Sequence, residues 1–114
     1  MTDLPSEVKV GPFVFTVRGG ADVAEFFEAT DGDLGDCNTE HLLIRVSGAQ
    51  APGNQREVVW HEALHAAFYS SGLTAELTEK VEENIVRKLA TATLGVLRDN
   101  PDLVTYLMAP DGRP

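Results

Sequence analysis

The sequence predicts an α+β fold in which a small antiparallel β-sheet is followed by two long helices and a short C-terminal helix. Apolar and polar residues alternate with a period of two in residues 8–46, which is typical of strands. Residues 53–107 instead show the period of an amphipathic helix. A length of 114 residues fits one domain. We therefore expect a single domain over residues 1–114, with its core in about 8–107.

The first strands are predicted from alternating apolar residues on either side of a turn. The turn is Gly11-Pro12, and the alternation predicts a hairpin or a bent strand that ends at Gly19-Gly20. The alternating residues are Val8, Val10, Phe13, Phe15 and Val17.

The segment that follows is predicted as a short helix, a loop and a second strand. Residues Ala21–Ala29 could form the helix, and the composition DGDLGD at 31–36 indicates the loop. We expect Leu42–Val46 to form the strand. It could pair with a short strand around Cys37 across the turn at Asn38-Thr39.

The second long helix and the short helix are predicted from their end signals. Thr78 is a plausible N-cap for a helix that runs to about Arg98. Asn100 could cap a short third helix over Asp102–Leu107, with Pro101 at its first position.

The first long helix begins at Pro52-Gly53-Asn54, ends at Gly72 and carries an HExxH motif. His61 and His65 are one turn apart, about 40° around the helix, so their imidazoles point the same way and can chelate a divalent cation such as zinc. Glu62 lies between them in projection, in the position of the general base of zinc peptidases.

The alternative is that both histidines are ordinary residues of a helix surface, and their neighbours argue against it. The helix is apolar almost all round, so we expect it to be largely buried. Burying two imidazoles and a carboxylate without partners would cost roughly several kcal/mol of folding free energy. A metal with its bound water would satisfy all three groups. The neighbours are Val58, Val59, Trp60, Ala63, Leu64, Ala66, Ala67 and Phe68.

A catalytic zinc needs a third protein ligand, and helical phase favours Glu82. The apolar residues Ile85, Val86 and Leu89 follow it at helical spacing, so Glu82 is expected at the centre of an apolar face. Glu83 is turned about 100° away, toward solvent. Glu82 could instead be a first-turn acid that stabilises the helix N-terminus. Further candidates are His41, Cys37, Asp31, Asp33 and Asp36.

Two residues near the motif allow more than one interpretation. Tyr69 follows His65 by one turn and could donate a hydrogen bond to an oxyanion, although packing explains it equally well. Cys37 is more typical of a small buried residue than of a ligand or nucleophile.

Four segments resemble the small metallopeptidase-like proteins of phages and prophages, which are related to the ImmA/IrrE-type zinc metallopeptidases. These segments are VVWHEALHAAF, EKVEENIVRKLA, LRDNPDLVTYL and LGDCNTEHLLIRV, and the resemblance covers most of residues 8–107. It implies a minimal zincin-like domain in which His61, His65 and Glu82 hold zinc and Glu62 is the base. The resemblance extends to the zincin-like core alone and not to the DNA-binding and sensor domains that larger relatives carry.

Composition restricts the partners and the compartment. Nine Lys and Arg against 18 Asp and Glu give a net charge of −9, which disfavours nucleic acids and anionic membrane surfaces. No apolar run approaches the roughly 20 residues that span a bilayer, and no secretory signal begins the chain. A single cysteine is consistent with a reduced compartment. We expect a cytoplasmic protein of a phage-infected or lysogenic bacterial host.

The function predicted from these observations is a zinc metallopeptidase with one Zn²⁺ per chain and a peptide or protein substrate. The strand Leu42–Val46 is the expected sheet edge for pairing with an extended substrate. The alternative is a non-catalytic, zinc-stabilised phage interaction or scaffold module, because a metal can supply much of a small domain's stability. A third possibility is a hydrolase for another substrate class, since the same metal chemistry serves esters and other amides.

Overall fold

A computed structural model describes residues 4–20, 34–48 and 50–111, and it confirms the α+β fold. The helix predicted for Ala21–Ala29, and the predicted loop up to residue 33, lie outside the described residues. In the described part of the chain, no helix is long and apolar enough to cross a membrane. The elements are β1 (Glu7–Val10), β2 (Phe13–Gly20), β3 (Gly35–Asn38), β4 (Leu43–Ser47), α1 (Pro52–Ser71), a 3-10 turn (Leu73–Glu76), α2 (Glu79–Asp99) and α3 (Pro101–Leu107).

The four described strands form a mixed sheet in the order β1-β2-β4-β3. The β1–β2 hairpin and the pairing of β3 with β4 are antiparallel, as expected. The central pair β2–β4 is parallel, so the prediction of a purely antiparallel sheet is wrong there. Residues 21–42 separate these two strands, which is more than the dozen or so residues that a parallel connection needs. Alternation alone could not reveal this, because side chains alternate in both kinds of pairing.

The open edge of the sheet beside α1 is β3, not β4. The prediction that Leu42–Val46 forms an edge for a substrate is wrong, because β4 lies between β2 and β3. Its residues Ile44 and Val46 are fully buried, as befits an interior strand. Among the described strands, β1 and β3 form the two edges.

The core lies between the central strands and α1. Phe15 and Val17 of β2 pack with Ile44 and Val46 of β4, and Ala66 covers them from α1. Every residue from 58 to 68 is buried or half-buried, as predicted around the motif, whereas residues 52–54, 56 and 57 at the start of the helix are exposed. The helix ends at Gly72, whose φ of 87° is left-handed backbone that glycine adopts without strain.

Helix α2 packs against α1 along one narrow face. Thr78 is its N-cap as predicted, with its hydroxyl accepting the Val81 N–H at 3.2 Å. A hydrogen bond of 2.8 Å from Trp60 Nε1 to Thr93 Oγ1 ties the two helices together. Ile85 and Leu89 of α2, expected on the buried face, are 38% and 39% exposed, because only the neighbouring row of small and apolar side chains meets α1.

Helix α3 begins at Pro101, as predicted, but Asn100 does not cap it through its side chain. The Asn100 amide instead donates to the Val96 carbonyl at 2.9 Å. This bond satisfies one of the carbonyls that the end of α2 leaves without an intrahelical partner. The residue therefore closes the preceding helix rather than opening the next one.

Candidate metal centre

His61 and His65 present their Nε2 atoms to one carboxylate of α2. The two imidazoles lie one turn apart on α1, with ring centroids 5.0 Å apart. Oε1 of Glu83 lies 2.9 Å from His61 Nε2, and Oε2 lies 2.8 Å from His65 Nε2. Glu83, just after the first turn of α2, therefore places an acid at the point where the two imidazoles converge.

Glu82 contacts the other side of His65. Its Oε2 lies 2.6 Å from His65 Nδ1, and its Oε1 accepts a hydrogen bond of 2.6 Å from Thr74 Oγ1. Glu82 is buried, whereas the side chain of Glu83 is 52% exposed. Helical phase correctly predicted a buried Glu82. It could not show that Glu83, which we expected to face solvent, would be the carboxylate in front of both Nε2 atoms.

His61, His65 and Glu83 form a group that could hold a metal ion. One ligand atom from each residue lies within 4.8 Å of the other two. Two imidazoles and a carboxylate are a known ligand set of catalytic zinc sites, which keep a fourth position for water or substrate. A metal-binding histidine usually has its second ring nitrogen engaged by a carboxylate or carbonyl, and Glu82 occupies that position on His65.

Glu62 lies in the same cleft as the two histidines, on the side of β3. The residue is buried, with 7% of its surface exposed, and its Oε2 would lie 3.4 Å from a Cβ placed on Gly35. The cleft has a volume of about 850 Å³ and lies between α1, β3 and α2. The motif glutamate thus lines the same cleft as the two histidines without belonging to the group that could hold a metal ion.

The electrostatic environments of the two histidines differ. Burial lowers the pKa of His61; the Glu83 carboxylate opposes this change, and the charges of His65 and Arg87 add to it. Burial also lowers the pKa of His65, but the hydrogen bond to Glu82, the charge of Glu62 and the hydrogen bond to Glu83 together outweigh it, so the pKa lies above its ordinary value. A metal binds only the neutral imidazole, so metal binding at His65 would displace a proton that these three carboxylates favour.

Two further candidate ligands, Cys37 and Asp36, also line the cleft. Burial raises the pKa of the Cys37 thiol to about 12, with the charges of Glu62, Asp36 and Glu82 adding to the effect, so the thiol keeps its proton. The carboxylate of Asp36 forms an ion pair with Arg45, on the neighbouring strand. Neither belongs to the metal-binding group of the described residues.

The remaining candidates lie elsewhere. Tyr69, expected to help an oxyanion, packs its ring against Phe13 at a centroid distance of 5.4 Å and is not among the residues that line the cleft. His41 is exposed, and its backbone N–H donates to Asn38 Oδ1 at 3.0 Å. Asp31 and Asp33 lie outside the described residues.

Replacing Gly35 by alanine is expected to destabilise the fold, because a side chain of α1 leaves no room for a Cβ on β3 there. A Cβ at this position would lie 2.4 Å from Val58 Cγ1 and 3.1 Å from the Arg45 carbonyl oxygen. The Val58 side chain is restricted at χ1 and cannot rotate away, so helix α1 has to move. This movement costs about 1–3 kcal/mol of folding free energy. Urea unfolding measures the loss. Gly95→Ala is the matched control, because no atom lies within 4 Å of its added Cβ. It should raise stability by up to about 1 kcal/mol, and an equal response of both variants would contradict the close approach.

Comparison with models of known protein families, with curated proteins and with solved structures finds no match for this chain.

Proposed function

We propose that this protein is a zinc-dependent metallopeptidase whose centre is the cleft between α1, β3 and α2. The observation that carries the proposal is the position of Glu62. A structural zinc site needs ligands but no additional carboxylate beside them. Here a buried glutamate lies next to the converging histidines, in a cleft large enough for a peptide.

Each of these cleft residues has a separate role in the proposed peptide hydrolysis. When bound, zinc supplies the Lewis acidity that makes a water acidic and polarises a carbonyl. Glu62 accepts the proton of the attacking water as the water oxygen adds to the carbonyl carbon. It then gives this proton to the amine nitrogen as the C–N bond breaks. Glu82 and Thr74 hold His65 in position through its Nδ1 atom.

We propose that an extended substrate pairs with β3. The Ser47 N–H donates to the Leu34 carbonyl at 2.9 Å, so these two residues form a hydrogen-bonded pair in the register of β3 with β4. Because such pairs alternate along an antiparallel ladder, the N–H and C=O groups of Gly35 and Cys37 point away from β4. These groups can add a peptide strand beside Glu62, with main-chain hydrogen bonds that tolerate many side chains.

We propose Glu83 as the third ligand, in place of Glu82, and the two residues can be compared directly. Glu83→Gln should weaken Co²⁺ binding about 100-fold or more, because it removes an anionic ligand at the Nε2 atoms. Glu82→Gln should weaken it about 10-fold, because it removes only the carboxylate behind His65. Titration with Co²⁺, followed by its visible absorption, measures both affinities. If Glu82→Gln has the larger effect, Glu82 is the third ligand, as helical phase predicts, and the proposal of Glu83 is wrong.

Digestion of a defined peptide mixture tests the function itself. Zinc-loaded protein should produce new termini that mass spectrometry identifies, and protein treated with a chelator should produce none. Bound zinc without any cleavage would favour the alternative, a non-catalytic zinc-stabilised module. We further propose action in the cytosol of a phage-infected or lysogenic bacterial host, on a peptide or protein, on the basis of the sequence resemblance and the single cysteine.

A further inference from the structure

One basic side chain faces the otherwise acidic cleft. Among the described residues that line it, Arg87 is the one Arg or Lys. His61 lines the same cleft, and the Arg87 charge adds to burial in lowering the pKa of this imidazole. The guanidinium donates to Oδ1 of the neutral Asn84 at 2.8 Å. No carboxylate of the described residues forms an ion pair with it.

The absence of an ion pair at Arg87 has a structural cause. Glu83 precedes it by four residues, which is the favourable order for an ion pair on a helix surface. The Glu83 carboxylate is instead held by His61 and His65. Glu79 lies two turns earlier, about 12 Å along the helix axis. The guanidinium of Arg87 therefore keeps N–H donors for a group that enters the cleft. The Cβ atoms of Arg87 and Glu83, one helical turn apart, lie about 5–6 Å from each other.

The acids of the cleft, in contrast, are mostly engaged within the protein. Asp36 pairs with Arg45, and Glu57 Oε1 lies 3.6 Å from Arg98 Nη1. The carboxylates of Glu82 and Glu83 contact histidine nitrogens. Arg87 is thus the one positive side chain that the described lining offers to a ligand, beside the carboxylates of Glu62 and Glu79.

We propose that Arg87 is a specificity-determining residue that binds a carboxylate of the substrate next to the bond to be cleaved. This inference rests on the proposed binding of a peptide in the cleft. The carboxylate could be the C-terminus of the peptide or an Asp or Glu side chain, since a guanidinium binds both through the same paired hydrogen bonds. The first source would make the protein remove C-terminal residues, and the second would direct it to acidic sites within a chain.

Binding of synthetic peptides to zinc-loaded Glu62→Gln protein separates these cases without relying on hydrolysis. Three hexapeptides with neutral residues at the other positions are compared by calorimetry: one with a free C-terminus, one amidated, and one amidated with an internal glutamate. We expect at least one of the two carboxylate-bearing peptides to bind about tenfold more tightly than the neutral amide. Preference for the free acid alone identifies the C-terminus, and preference for the glutamate peptide identifies the side chain.

Adding Arg87→Gln should abolish the preference, and Lys88→Gln is the matched control. Both changes remove one positive charge from exposed neighbours on α2, but Lys88 is not among the cleft residues. The inference is overturned if Arg87→Gln retains the preference, if both variants lose it equally, or if no peptide binds or none is preferred. A carboxylate preference without hydrolysis by the parent protein would leave this inference standing while removing the peptidase function. Hydrolysis without a carboxylate preference would support the peptidase function and overturn the inference about Arg87.

Discussion

Glu62→Gln is expected to abolish most peptide hydrolysis while zinc remains bound. Glutamine has the size of glutamate but cannot accept the proton of the attacking water. Loss of a general base typically lowers kcat by about 10²–10⁴-fold. Glu62 is not among the residues that converge as ligands, so metal content should stay at that of the parent. Initial rates on a quenched fluorescent peptide, with metal content measured on the same samples, provide the test.

Glu57→Gln is the control for Glu62→Gln. It removes the same charge from the rim of the cleft, where the Glu57 side chain is 48% exposed and lies near Arg98. Its rate should stay within about twofold of the parent rate, because a screened surface charge has little effect on the reaction. If the Glu62 and Glu57 variants hydrolyse the peptide at equal rates, Glu62 is not the base.

Removal of the metal is expected to lower the melting temperature substantially. Free zinc at 1,000 times its Kd stabilises the folded chain by about 4 kcal/mol. For a domain of this size that corresponds to about 15 °C. His65→Ala should show the lower melting temperature without any chelator, because it removes a ligand and leaves Glu82 and Glu83 without their shared imidazole. Thermal unfolding followed by circular dichroism, with and without chelator, measures both effects.

His41→Ala is the control for the stability experiment. His41 is exposed and outside the metal-binding group, so this variant should respond to the chelator like the parent protein. A parent whose melting temperature does not change in chelator would contradict a stabilising metal. A His65 variant that still responds to chelator would place the ion elsewhere.

Sequence reasoning succeeded where the determining interactions are local. Thr78 caps α2 through a bond to a backbone N–H three residues away, and Gly72 ends α1 by its own backbone conformation. The HExxH residues lie on one helix, so their side-by-side placement follows from helix geometry alone.

The sheet was harder to predict, because it depends on contacts between distant segments. Alternation marks β2 and β4 as strands, but it does not reveal their relative direction or their order in the sheet. The apolar segment Leu42–Val46 is the interior strand and not the predicted edge, in agreement with the strong apolar character that interior strands show. The four-residue strand β3 is the edge that lies beside Glu62.

The site residues on α2 depend on how two helices cross. Glu82 and Glu83 are adjacent in sequence, and only the packing of α2 against α1 determines which carboxylate reaches the Nε2 atoms. Arg87, for which we propose a role in substrate binding, belongs to no motif, although its spacing of four residues from Glu83 places it on the same side of the helix. Tyr69 has the matching spacing from His65, but its ring packs against Phe13 of the hairpin.

The metal content of the purified chain tests the central claim most directly. The protein is prepared without chelator and without a metal-affinity step, and native mass spectrometry counts the ions per chain for the parent and for His61→Ala. We expect about one zinc ion per parent chain and a clear reduction in the variant. A parent chain that contains no metal, and stays folded in chelator, would contradict the zinc centre and the peptidase function built on it.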